Sequence, residues 1–217
     1  MKSLNNYLTE GGLIRRGMNV STHMKYELTE KTKMVSGHTL YQIRSLIDFK
    51  AVNGRRVKAG DLGGWIESES NLSQEGSCWV GNNACVYEDA QVYDNAQVYD
   101  DASILGKAQI YGNAQVGDKA WVCDSAKVYG NAQVHDKADI HDNARVYGDA
   151  EVYEDAYVYA EAQVYGDAQI SGDAFVYGNA IVYDNAQVYG DAEVYGDAEV
   201  YGDAKVNYKI DTGKITK

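Results

Sequence analysis

The stretch from Val188 to Val206, VYGDAEVYGDAEVYGDAKV, states one six-residue phrase three times. Stepping by six through the chain from Val80 to Val206 lands on 22 positions, every one of them Val or Ile. Two residues before each of these after Val80 stands an alanine, from Ala84 to Ala204, 21 in all, and no insertion breaks the phase. A fixed short period of this kind is the signature of a stacked architecture.

Within each hexad the Ala and the Val or Ile are two apart, so an extended backbone turns both to one face and the residues flanking Val to the other. The two remaining positions are mostly Gly-Asp, Gly-Asn, Asp-Asn or Glu-Asp. These residues tolerate turn and left-handed conformations, so each hexad reads as a short strand followed by a corner. A helix would scatter the same Val residues around its axis, because six is not a whole number of turns at 3.6 residues per turn. The spacing predicts a parallel β-solenoid.

The phrase V-Y-(G/D)-(D/N)-A-x resembles the hexapeptide-repeat family over residues 80–206. That resemblance implies an all-β fold, a left-handed parallel β-helix of about seven coils with three hexapeptides per triangular coil. At the strand spacing of about 4.8 Å the rod would be roughly 34 Å long. Upstream, KMVSGHTLYQIRSL reads as two strands around a Ser-Gly-His turn. The segment holding Lys58-Ala59-Gly60, Gly63-Gly64-Trp65 and Leu72-Ser73-Gln74 is similar to the N-terminal module of bacterial and phage hexapeptide-repeat proteins, some of them labelled acyltransferases. The expected organisation is an N-terminal extension (1–24), a small β-hairpin capping module (25–79), the β-helix (80–206) and a C-terminal cap or tail (207–217).

Charge is divided unevenly. Residues 1–80 hold 11 Lys and Arg against 8 Asp and Glu, whereas residues 81–217 hold 9 against 24. From Val146 to Ala204 there are 13 acidic residues and no Lys or Arg. Such a field repels nucleic acid, anionic membranes and polyphosphate cofactors and attracts basic protein surfaces. The N-terminus has no apolar signal region and no run approaches the roughly 20 residues of a spanning helix. Three cysteines without a CxxC pair fit a reducing compartment better than a disulfide framework or a zinc site. The expectation is a cytoplasmic protein with no cofactor, no metal, no direct nucleic-acid contact and no membrane contact.

With eighteen residues per coil, the residue after each inward Val or Ile sorts into three columns. One is a tyrosine ladder of Tyr93, Tyr111, Tyr129, Tyr147, Tyr165, Tyr183 and Tyr201. A second side carries Leu105, Trp121, Tyr157, Tyr159, Phe175 and Tyr177, an apolar patch that marks an interface for a homo-oligomer or a partner. The third side is mixed. Asp149, Asp155, Asp167, Asp173, Asp191, Asp197 and Asp203 occupy corners and read either as turn residues or as an acidic surface stacked along the rod.

The family resemblance also implies acyl-CoA-dependent acetyltransfer with a histidine as general base, for which His135 and His141 are the available residues. Both follow an inward residue and neither sits on an extended loop able to enclose a substrate, which general-base chemistry needs. A carbonic anhydrase of this fold needs three zinc-binding histidines, and the rod has two. No residue is assigned a catalytic role. The sequence is read as a non-enzymatic, acidic interaction scaffold of phage or prophage association, able to inhibit a host nucleic-acid-binding or defence complex by occupying a basic surface. Acetyltransferase is the alternative.

Overall fold

A computed structural model describes residues 24–216. Each hexad forms a two-residue strand ending on the inward Val or Ile, such as Gln91–Val92, and then a corner. The corner is a β-turn closed by the next alanine's amide, as where Ala96 N–H donates to the Tyr93 carbonyl at 3.2 Å. Its first central residue is left-handed at all 21 corners from Asn82 to Gly202, 10 of them Gly and 11 not. Asp, Asn and Glu supply most of the exceptions. Ala160, with φ +58, has neither glycine's freedom nor a polar side chain to offset the strain.

Residues eighteen apart pair in parallel, for example Gln109 with Lys127 and Ile110 with Val128. Three amides per hexad donate to carbonyls in the following coil: Gln91 to Ala108, Tyr93 to Ile110 and Asn95 to Gly112, at 2.9, 3.1 and 2.9 Å. Backbone hydrogen bonds therefore run along the rod, through the corners as well as the sides. Between them the inward Val, Ile and Ala form one continuous core that excludes water.

Three sheets make the sides of the prism. The tyrosine side has eight strands, from Gln91–Val92 to Lys214–Ile215, and the third side has eight, from Trp79–Val80 to Lys205–Val206. The hairpin side has eleven strands, because β1 (Tyr26–Val35), β2 (His38–Ser45) and, after the short pair β3 (Phe49–Lys50) and β4 (Arg56–Val57), β5 (Leu62–Ile66) extend it. The stack amounts to about eight coils instead of the expected seven.

The extra coil comes from both ends, where the hexad phase breaks and the geometry continues. Ile66 pairs with Val86 and Leu72 bridges to Val92, each twenty residues on, because the loop before Cys78 inserts two residues. At the other end Ile210 and Ile215 take the places above Val194 and Val200 through shortened repeats. The expected hairpin is present as β1 and β2, joined by Ser36 and Gly37 with φ +49 and +89, a turn matched to the strand twist. It does not sit apart from the β-helix but continues the hairpin side, while Tyr26, Ile43, Val57 and Trp79 close the core. The expected extension, residues 1–24, lies outside the described residues except for Met24.

All three sheets end on a strand that opens with lysine: Lys205, Lys209 and Lys214. A charged side chain on a terminal strand disfavours pairing with another chain, and these ends are unpaired among the described residues. No helix of the described residues is long and apolar enough to cross a membrane.

The strain at Ala160 gives a direct test. Left-handed backbone costs an L-residue about 1–2 kcal/mol. Glycine adds roughly 0.4–1 kcal/mol of unfolded-chain entropy. Ala160→Gly keeps the amide that donates to Asp142 and should raise stability by about 0.5–1 kcal/mol in a denaturant titration. A loss of stability would contradict the corner conformation.

Candidate functional site

The surface is built by translation: whatever stands at one position meets its counterpart eighteen residues later at the strand spacing. On the tyrosine side all six steps from Tyr93 to Tyr201 are stacked, with ring centroids 4.8 to 5.1 Å apart and nearly parallel planes. Each ring's faces are covered by its neighbours. The ladder therefore presents ring edges and hydroxyls, and Tyr147 Oη donates to Gln163 at 3.4 Å.

The hairpin side holds two shorter stacks side by side. Tyr157 and Phe175 stack at 4.9 Å. Beside them His141, Tyr159, Tyr177 and Tyr195 stack at 4.9, 4.9 and 5.0 Å, and Lys209 closes the series over the last ring at 4.9 Å. Trp121, 43% exposed, is separated from this patch by Asp139, which pairs with Trp121 on one side and Tyr157 on the other. Asp139 Oδ1 is buried without a hydrogen-bond partner among the described residues, and burial holds its carboxyl above the usual range. Leu105 is partly buried and packs against the cluster of Leu40, Trp65, Cys85 and Tyr87 under the hairpin. The apolar surface that remains is Tyr157, Tyr159, Phe175 and Tyr177. Burial pushes the nearby Cys123 thiol up to about 12.

The acidic corners do not form one ridge. Asp155, Asp173 and Asp191 lie on the corner after the third side, Asp197 on the corner after the hairpin side, and Asp149, Asp167 and Asp203 on the corner after the tyrosine side, since a step of six moves to the next corner. Most of the corner acids have local work. Side-chain carboxylates of Asp118, Asp124, Asp136, Asp142, Glu154 and Asp184 accept the left-handed amide of the next coil, at 2.6 to 3.4 Å. Asparagines donate in a ladder, Asn95 to Asn113 to Asn131 to Asp149, at 3.1, 3.0 and 2.8 Å. The acidic stretch is also partly neutralised from outside it: Lys137 meets Asp155, Lys209 meets Glu193 and Lys214 meets Glu199, at 2.9, 2.7 and 2.8 Å.

Both rod histidines belong to these ladders. His135 stacks on Tyr153, and its Nδ1 and Nε2 lie 3.1 Å from Asp136 and 3.0 Å from Glu151. His141 stacks on Tyr159, with Nδ1 3.4 Å from Asp142. Asp118 with His135 and Asp136, and Asp124 with His141 and Asp142, each bring three potential metal-ligating atoms within 4.8 Å. Their carboxylates are the same ones that accept next-coil amides, which accounts for the clustering without an ion. A groove of about 900 Å³ follows this corner, lined by Asn82, Asp100, Asp118, Asp136 and Glu154. It is open along the rod, and a general base there would have no shield from water. Reading the first corner position in steps of eighteen would have found this row.

One polar contact had no sequence signal. His38 Nδ1 lies 3.0 Å from Glu67, whose second oxygen accepts the Glu88 amide at 2.7 Å, fastening the hairpin to the corner at Glu88. The hydrogen bond to Glu67 holds the His38 imidazole above its ordinary value.

The tyrosine ladder gives a pH test. Burial among neighbouring rings pushes Tyr93, Tyr111, Tyr129, Tyr147, Tyr165 and Tyr183 above the ordinary value of 10. A folded value above the unfolded one means that folding holds the proton, so this contribution is complete below pH 10 and is lost as pH rises through the folded values. The melting temperature should be insensitive to these groups at pH 9 and fall above pH 10, with phenolate absorbance lagging that of free tyrosine. Ionisation at the free value without loss of stability would contradict the stacking.

A family model described as the YdcK beta solenoid repeat matches residues 108–124, 168–184 and 174–190. Each match begins on an inward alanine and ends on a left-handed corner, just short of one coil. No curated protein matches the chain. In these segments the chain is similar to a β-solenoid repeat, in agreement with the stacked coils.

Proposed function

We propose that the protein is a non-enzymatic scaffold of the hexapeptide-repeat kind that binds a protein partner with a basic surface. The carrying observation concerns the 13 acids between Val146 and Ala204. The carboxylates of ten have a hydrogen-bond or ion-pair partner, in neighbouring coils or in lysines beyond the stretch, whereas those of Asp167, Asp173 and Asp191 have none among the described residues. These three contribute charge to the surface without contributing a side-chain bond to the fold. Their support is directional: a fixed array of carboxylates beside rows of tyrosine hydroxyls suits Lys and Arg donors, and it repels phosphate.

The more specific reading is a phage- or prophage-associated inhibitor that acts in the cytoplasm by filling the basic groove of a host nucleic-acid-binding complex, such as a defence assembly. Charge complementarity is its support. The aromatic patch of Tyr157, Tyr159, Phe175 and Tyr177 is the surface for self-association or for a second contact.

The combined variant Asp167→Asn, Asp173→Asn and Asp191→Asn tests this reading. Asparagine already occupies equivalent second-corner positions, at Asn113 and Asn131, so stability should stay within about 0.5 kcal/mol. Capture of a partner from host lysate should fall with the variant, fall with salt and be competed by added nucleic acid. Capture with unchanged affinity and salt dependence, or acetyl-CoA turnover abolished by His135→Ala or His141→Ala, would overturn it.

A further inference from the structure

The inward column that runs 78, 84, 90 and onward to 204 is alanine at every position but the first, where Cys78 stands. Cys78 is wholly buried, and so, to 1% exposure, is Lys25, which enters the core from just before β1. Lys25 Nζ lies 3.1 Å from Cys78 Sγ and donates to the carbonyls of Glu75 and Gly76 at 3.0 and 3.5 Å. No carboxylate among the described residues reaches it. An ammonium buried without an anion is costly, which favours the neutral amine. Burial lowers the Lys25 value and raises that of Cys78, each in the direction of its uncharged form. The single departure from the alanine column thus faces a buried nucleophilic nitrogen.

We propose that Lys25 and Cys78 are a modification site, a clasp closed by hydroperoxide through a covalent S–N bond between Cys78 Sγ and Lys25 Nζ. In the first step the amine takes the thiol proton as sulfur attacks peroxide. An S–O bond forms, the O–O bond breaks, sulfur loses two electrons, the departing hydroxide takes the proton back from Nζ and leaves as water, and Cys78 becomes a sulfenic acid beside a neutral amine. In the second step the neutral Nζ attacks that sulfur. The S–N bond forms, the S–O bond breaks, and hydroxide leaves with an amine proton as a second water. The product is a sulfenamide, two hydrogen atoms lighter than the reduced pair, and a thiol reductant reopens it. Peroxide is close to water in size and reaches the pair through local opening of the capped end, the part of a solenoid with fewest neighbours. Once formed, the bond ties the segment before β1 to the first coil and locks the cap over the core.

The test treats the full chain with hydrogen peroxide and maps tryptic peptides by mass spectrometry before and after dithiothreitol. The expected product joins the peptides containing Lys25 and Cys78, resists cleavage after Lys25, is reversed by dithiothreitol and melts at a higher temperature than the reduced protein. Cys78→Ala, which restores the column's own residue and should fold, and Lys25→Met should both abolish it. Recovery of Cys78 as a free thiol, as a sulfinic acid, or in a disulfide with Cys85 or Cys123, with Lys25 still cleaved, would overturn the proposal.

Discussion

The constraint on which the structure depends is the constant offset of eighteen residues between hydrogen-bonded coils. Each hexad donates its amides to carbonyls one coil further on, at the corners as well as along the sides. Because the offset never changes through the repeats, like meets like at every level. Valine packs on valine, the left-handed corners superpose, and surface side chains form columns whose members are held one strand spacing apart. The inward Val and Ala supply the hydrophobic gain, but the backbone register decides what the surface looks like.

That register explains why the composition is so repetitive. A tyrosine in the ladder is buried by the tyrosines above and below it, so its neighbours are part of its environment. An aspartate at a left-handed corner accepts the next coil's amide, and an asparagine can both accept from one coil and donate to the next. Like charges at this spacing repel, and most columns offset that in three ways: amide donors, alternation with asparagine, and lysines that reach back from the C-terminal end, whereas Asp173 and Asp191 stand on one column without such a partner among the described residues. Acidity is thus largely a by-product of corner chemistry, and the charge free for a partner is smaller than the net charge suggests.

The fold was legible because its determinants are local and periodic: the inward column, the alanines and the corner residues can each be read one hexad at a time. The ends were less legible. Ile66 and Leu72 keep the geometry after a two-residue insertion, and Ile210 and Ile215 keep it through shortened repeats, so a search for strict sixes stops short of both. At the surface the tyrosine ladder followed directly from counting by eighteen. The apolar side did not, because Trp121 and Tyr157 are two coils apart with Asp139 between them, and Leu105 packs against a separate cluster under the hairpin. Contacts between the hairpin module and the first coil, such as His38 with Glu67 and Lys25 with Cys78, join segments of unrelated phase and carry no periodic signal.

The register can be measured by pulsed electron–electron spin resonance between labelled corner residues. Asn113 and Asp203 lie on one corner column five coils apart, and Asn95 and Asp203 lie on it six coils apart. With each pair replaced by spin-labelled cysteines in a Cys123→Ser background, the distances should be about 24 and 29 Å, differing by one strand spacing. Equal distances, or a difference of several strand spacings, would contradict a constant offset of eighteen and with it the columns on which the surface depends.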